Sequence, residues 1–199
     1  MPDDAPRDAA LLRRDARHVR AKAAWASVPP RHLLIGDSLL RAWTGSYPRP
    51  FDGRTLNLGL SGARVAEMVR RLEDHGGADW SRLRSAVILG GTNDLTDGSP
   101  PERIVAGLRR LVEIVRARAP HAVVMLCPIP PRGTHRRYSP QAHEIANVRV
   151  RRMVDDLAVL TCDLSEMDDP TLRIDSVHLR PAGYDALRRA IDKGFGVAP

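Results

Sequence analysis

Asp175 stands three residues before His178, in a run (Asp175-Ser176-Val177-His178) that precedes a helix signal at Pro181. At that spacing the carboxylate reaches the imidazole, fixes its tautomer and stabilises the imidazolium. Of the seven histidines, only His178 has an acid so placed in a loop ahead of a helix. Ser38 follows an apolar run in Gly36-Asp37-Ser38-Leu39-Leu40. A serine between a strand and a helix start presents its hydroxyl beyond the sheet, where its own N–H and the helix N-terminus favour developing negative charge. The same serine equally suits a helix cap. The G-x-S-x-G elbow is absent, because position 40 is leucine. In Asn57-Leu58-Gly59-Leu60-Ser61-Gly62-Ala63 the glycines let backbone approach a ligand, or make a tight turn. In Gly90-Gly91-Thr92-Asn93-Asp94 the asparagine offers a side-chain donor, with Asp94 capping the loop or fixing Asn93; an Asx-turn is the alternative. Together the four runs supply a nucleophile, a base, an orienting acid and two further oxyanion donors. That is the set of roles acyl transfer needs.

Each run needs a scaffold that brings it to the others. Apolar stretches at 32–35, 55–58, 85–89, 122–126 and 157–162 read as five short buried strands. Between them lie helical stripes. These are 38–43, then Val65, Met68, Val69 and Leu72, then Ile104, Val105, Leu108, Leu111, Val112 and Val115 between Pro100-Pro101 and Pro120. Ala142, Ile145, Val148 and Leu157 line a further helix, and Tyr184, Leu187 and Ile191 a last one opened by Pro181. Strands without period-two alternation, alternating with helices, predict an α/β domain with a parallel sheet covered on both faces. Ligands in such folds bind beyond the carboxyl ends of the strands, where the four runs stand. Ahead of the domain, residues 1–30 form a basic helical segment with Ala9, Leu12, Ala16, Val19 and Ala23 in a stripe, stopped by Pro29 and Pro30. The domain then spans 31–199.

In that order and spacing the runs resemble the GDSL or SGNH hydrolase family of esterases and lipases, over about residues 31–195. Block I is Gly36-Asp37-Ser38-Leu39; block II is the run from Asn57 to Gly62; block III is Gly91-Thr92-Asn93-Asp94; block V is Asp175 to His178. The resemblance implies a flavodoxin-like three-layer α/β/α fold with five parallel strands. It implies catalysis by Ser38, His178 and Asp175, without metal or other cofactor. It implies an oxyanion hole of Ser38, Gly62 and Asn93. Leu40-Arg41 departs from the family's small polar residue after the motif, which bears on pocket shape.

Composition narrows the rest. The chain has 199 residues, 43% hydrophobic, enough for one domain with its own core. No apolar run approaches the ~20 residues of a membrane helix. The first 30 residues carry six basic side chains and no apolar core of a secretory signal. Cys127 and Cys162 read as core thiols in a reduced, cytoplasmic setting. Net charge is +7, but 29 of the 31 basic residues are arginine, which reads as a solvated arginine-rich surface. Arg132, Arg136 and Arg137, in the loop after the fourth strand, could grip an anionic group on a substrate. Trp43 is either a wall of the acyl pocket or a core residue. Aromatics at 4% and the absence of an extended apolar lid favour a short acyl group such as acetyl, on a small-molecule or carbohydrate ester. The alternatives are transfer of the acyl group to a sugar or alcohol, or an esterase-like module of a nucleic-acid-associated protein. Oligomeric state is open. The nucleic-acid reading expects DNA or RNA binding at low salt that falls steeply as salt rises; absence of binding at low salt in a filter or anisotropy assay removes it.

Overall fold

The structure, a computed structural model, describes the backbone of residues 5–43, 51 and 54–197. In chain order it runs α1 (Ala5–Ser27), β1 (His32–Gly36), α2 (Ser38–Arg41), β2 (Thr55–Asn57), α3 (Val65–Asp74), β3 (Ser85–Leu89) and α4 (Thr92–Thr96). There follow α5 (Pro101–Arg118), β4 (Val123–Leu126), α6 (Pro140–Leu157), two 3₁₀ turns (Ser165–Asp168 and Pro170–Leu172) and α7 (Pro181–Gly194). The strands form one parallel sheet in the order β2-β1-β3-β4.

Every residue of β1 and β3 is buried, because helices cover both faces. Alternate side chains feed two cores. Leu33, Ile35, Ala86, Ile88, Val124 and Leu126 pack on one side with residues of α1, α3, α5 and α6. Leu34, Val87, Leu89 and Met125 pack on the other with α2, α7 and both cysteines. This is the expected three-layer arrangement.

Three sequence expectations need correction. Among the described residues the sheet has four strands, not five. The 157–162 stretch touches β4 only through an isolated parallel bridge between Met125 and Leu160. Leu160 N donates to Val124 O and Leu126 N to Leu160 O, both at 2.9 Å. The Leu126 carbonyl is then taken by the Thr161 hydroxyl, at 2.9 Å, so a side chain stands where the ladder would continue. On α6, Ile145 and Val148 face solvent, and His143, Ala146, Val150, Met153 and Val154 face the core.

On α1 the expected stripe is also misplaced. Ala16, Val19 and Ala23 are exposed, while Ala9 and Leu12 lie outside the described side chains. The helix docks instead through Trp25, which is 1% exposed, tilted against Trp80 at 4.6 Å and donating its Nε1–H to Asp79 O. Alanine stripes bury too little area to choose a face, and one indole outweighs them. Trp25→Ala is expected to lower the free energy of unfolding by about 3 kcal/mol or more, read in urea melts. A loss under about 1 kcal/mol would mean that the helix is not held by its tryptophan.

Candidate active site

Ser38 opens α2 one residue after β1 and its connecting Asp37, and is 8% exposed. Asp37 caps the helix, its Oδ1 accepting from Leu39 N at 2.9 Å, so Ser38 itself is free of the capping task. The Ser38 hydroxyl lies 3.1 Å from His178 Nε2, across 140 residues of chain. His178 Nδ1 lies 2.8 Å from Asp175 Oδ2, so a ring that donates at Nδ1 to the carboxylate presents Nε2 as an acceptor toward Ser38. Asp175 Oδ1 also accepts from His178 N at 2.7 Å and Val177 N at 2.8 Å. Partial burial alone would raise the Asp175 carboxyl, but the hydrogen bonds from the His178 backbone, the His178 ring and Val177 hold it at about 2. The relay is open to solvent, with the His178 side chain 47% exposed.

The 172–180 hairpin places this pair. Ile174 N donates to His178 O and Arg180 N to Leu172 O, and Leu179 inserts into the second core. The buried Arg173 ties the hairpin to the preceding 3₁₀ turn through Met167 O and Asp168 O.

The loops that carry the two further expected oxyanion donors meet next to Gly62, where Asn93 reaches Ala63. Gly62 has φ +68, a left-handed conformation that suits glycine, with open space where a Cβ would stand. Among the described residues, neither Ser38 N nor Gly62 N has a protein acceptor. Asn93, in the first turn of α4, donates one Nδ2 hydrogen to Ala63 O at 2.9 Å and has the other to offer. Asp94 accepts from Val65 N at 3.0 Å and so caps α3 from a distance, joining the Gly62 loop to the Asn93 loop.

Several positioning contacts escaped sequence reasoning. Asn57 bridges the loops, donating to Leu40 O at 2.7 Å and accepting from Gly59 N at 2.8 Å. An Asn two residues before a Gly was the available signal. Tyr184 donates to Leu39 O at 3.0 Å; burial and the nearby Asp37 push its phenol up to about 12, so it remains a donor. Gly133 N donates to Ser176 O at 2.8 Å, clasping the loop after β4 to the Asp175–His178 turn.

The three arginines of that loop differ. Arg132 is buried, 4.8 Å from the Tyr138 ring centre, and donates to Thr92 O and to the Thr96 hydroxyl. Its guanidinium is thus turned into the α4 wall rather than held out as an anion grip. Arg136 and Arg137 are exposed. Trp43 is a core residue, 3% exposed and packed against Tyr184. Cys127 and Cys162 are free and buried, and their mutual hydrogen bond and burial push the Cys127 thiol well up. Among the described residues, no cluster of three His, Cys, Asp or Glu side chains could hold a metal ion, and no helix is long and apolar enough to cross a membrane.

A parallel α/β/α sandwich with a serine, histidine and aspartate at the carboxyl edge of its sheet defines a class of serine hydrolases. The chain belongs to the GDSL-like lipase/acylhydrolase family, whose model matches residues 34–186. It is 29% identical over 143 residues to platelet-activating factor acetylhydrolase IB subunit alpha1 of Pongo abelii, covering 69% of this chain and 58% of that protein. The chain thus spans less than two thirds of that relative's length. Among solved structures it is similar to a candidate platelet activating factor from Streptococcus pneumonia (TM-score 0.79, 19% identity, 94% of each chain). It is also similar to a GDSL-like lipase from Bacteroides thetaiotaomicron (TM-score 0.72, 18% identity, 91% of this chain and 96% of that one). At these identities the two structures attest the fold.

Asp37 carries a measurable pH signature. Its complete burial pushes the carboxyl up to about 6, and Oδ2 has no hydrogen-bond partner. The unfolded chain releases that proton at lower pH than the folded one. Folding stability from this group therefore falls as pH rises from about 4 to 6, and the deficit is complete above that. Asp37→Asn, which keeps an acceptor for Leu39 N, is expected to raise stability by roughly 2–3 kcal/mol at pH 7, with the gain vanishing below about pH 4. Urea melts from pH 3.5 to 8 check this; a gain independent of pH would contradict it.

Proposed function

We propose that this protein is a serine esterase that hydrolyses carboxylic esters with short acyl groups, acetyl above all. The observation that carries the reading is the continuous relay from Ser38 Oγ through His178 to Asp175, at 3.1 and 2.8 Å. His178 Nε2 accepts the Ser38 proton as Ser38 Oγ attacks the ester carbonyl carbon. The carbonyl electrons move to oxygen, and the Ser38 and Gly62 N–H groups and the Asn93 side chain stabilise that oxyanion. As the tetrahedral intermediate collapses, His178 Nε2–H protonates the departing alcohol, leaving acyl-Ser38. Water then gives a proton to His178 and attacks the acyl carbon; collapse returns the proton to Ser38 and frees the acid. Asp175 keeps its charge throughout and stabilises the imidazolium in both steps.

Water access supports hydrolysis over transfer to a sugar or alcohol, since the half-exposed His178 meets solvent without a partner's help. The acetyl preference is supported by the relative's name, an acetylhydrolase, and by the low aromatic content of this chain. Arg136 and Arg137, exposed on the loop clasped to Ser176, are the arginines still available to meet an anionic group on the substrate.

Hydrolysis of p-nitrophenyl acetate, butyrate and octanoate by wild type and Ser38→Ala tests this. Rates should fall with chain length and vanish in the mutant. Asn93→Ala is expected to lower kcat by ~10²–10³, and Asp175→Asn by up to about 10⁴. Wild-type rates equal to Ser38→Ala in folded protein would overturn the reading.

A further inference from the structure

β2 lies at the edge of the sheet, so every second peptide beyond its start faces away from β1. Leu58 N donates to Leu34 O at 2.8 Å and Leu60 N to Gly36 O at 3.1 Å, which turns residues 58 and 60 toward β1. In a parallel strand one residue's N–H and C=O point to the same side, so the carbonyls of Asn57 and Gly59 face outward, where no further strand pairs among the described residues. Arg17 of α1 meets both. Its Nε donates to Gly59 O at 2.9 Å and its Nη2 to Asn57 O at 3.3 Å. The rigid guanidinium fork thus spans two successive outward carbonyls, as the donors of a neighbouring strand would.

The contact holds the chain just before the oxyanion loop. On the inner side, Gly59 is pressed so closely that a Cβ there would lie 2.4 Å from Arg41 N, so the stretch cannot retreat. Three residues later comes Gly62. Ala63 N then donates to Leu60 O, and Ala63 O accepts from Asn93. The helix that carries Arg17 is itself fixed, by Trp25 in the core and by His18 and Lys22, which both reach Asp74 at the end of α3.

We propose that Arg17 is a positioning residue of the active site: through the carbonyls of Asn57 and Gly59, α1 sets the place of the Gly62 N–H in the oxyanion hole. The inference rests on the esterase reading for its kinetic consequence and on the hydrogen bonds alone for its structural one. Without Arg17, water would satisfy two edge carbonyls, so global stability changes little. An oxyanion hole, by contrast, is sensitive to small displacements of its donors.

The test uses the full chain with Arg17→Met, which keeps an apolar stem, and Arg17→Lys, which keeps the charge but not the fork. In Arg17→Met, kcat for p-nitrophenyl acetate should fall about tenfold, a fraction of what losing an oxyanion donor outright costs, with KM within about twofold. Binding of a phosphonate that mimics the tetrahedral intermediate should weaken in parallel, and Arg17→Lys should recover part of kcat. Amide hydrogen exchange at 58–63 should quicken while β3 stays protected. If kcat stays within twofold of wild type, or exchange at 58–63 is unchanged, the proposal is overturned. Should Arg17→Met not fold, Arg17→Lys carries the same test, with at least a threefold loss of kcat expected. Quickened exchange in a protein lacking Ser38-dependent hydrolysis would uphold the anchoring and sink the esterase reading instead.

Discussion

The sheet edge that carries Ser38 and Asn93 depends on the five-residue parallel register between β1 and β3, from His32 opposite Ser85 to Gly36 opposite Leu89. Both strands are buried on both faces and flanked on both sides, so neither can slip without moving a full row of core side chains. The closeness is tightest at the carboxyl end, where a Cβ on Gly36 would lie 2.4 Å from Leu89 O. Because the strands end together, Ser38 and Asn93 both emerge at the same edge, two and four residues beyond the last pair. The parallel sheet therefore does most of the gathering before any side chain contributes.

Beyond the strands, side chains bonded to backbone hold the loops. Asn57 joins α2 to the β2–α3 loop; Asp94 joins that loop to α4; Arg132 joins α4 to the loop after β4; Gly133 joins that loop to the Asp175–His178 turn. Each such bond contributes on the order of 1 kcal/mol net. Their greater effect is geometric, since acyl transfer tolerates little misplacement of nucleophile, base and oxyanion donors. The run of contacts joins five separate segments into one surface.

The same run concentrates unfavourable charge burial near the chemistry. Burial pushes Asp37 and Asp94 up and pulls Arg132 down from their ordinary ranges, and Asp37 Oδ2 and Arg132 Nε lack hydrogen-bond partners. Asp175, the acid of the relay, is the opposite case. It sits at the surface with three donors around it and keeps its charge far below neutral pH. Buried acids here organise backbone, and the exposed acid bonds the His178 ring.

The strands, the long helices and the groups that could do chemistry were legible in the sequence because they rest on local signals. Continuous apolar runs arise where both faces of a strand are buried. Proline positions mark the starts of α5 and α7. An Asp three residues before a His makes its own hydrogen bond. Faces of weakly amphipathic helices were not legible. On α6, Ile145 and Val148 look outward, and on α1 Trp25 overrides an alanine stripe. The fifth strand failed because a threonine hydroxyl, not a backbone amide, took the Leu126 carbonyl. Arg132 read as one of three arginines that could grip an anion, yet it packs under Tyr138, since arginine's long stem and planar head suit either setting. By itself, then, the sequence determined which residues could do chemistry and that Ser38, Gly62 and Asn93 follow strands, because spacing and hydrophobic periodicity are properties of neighbouring residues; Asp175 and His178 instead follow two 3₁₀ turns, in a hairpin rather than at a strand end. Tertiary structure alone decided that Ser38 lies 3.1 Å from His178, that α1 reaches the Gly59–Gly62 loop and that Arg132 is buried while Arg136 and Arg137 are exposed. Those are contacts between segments tens of residues apart, chosen by how whole elements pack.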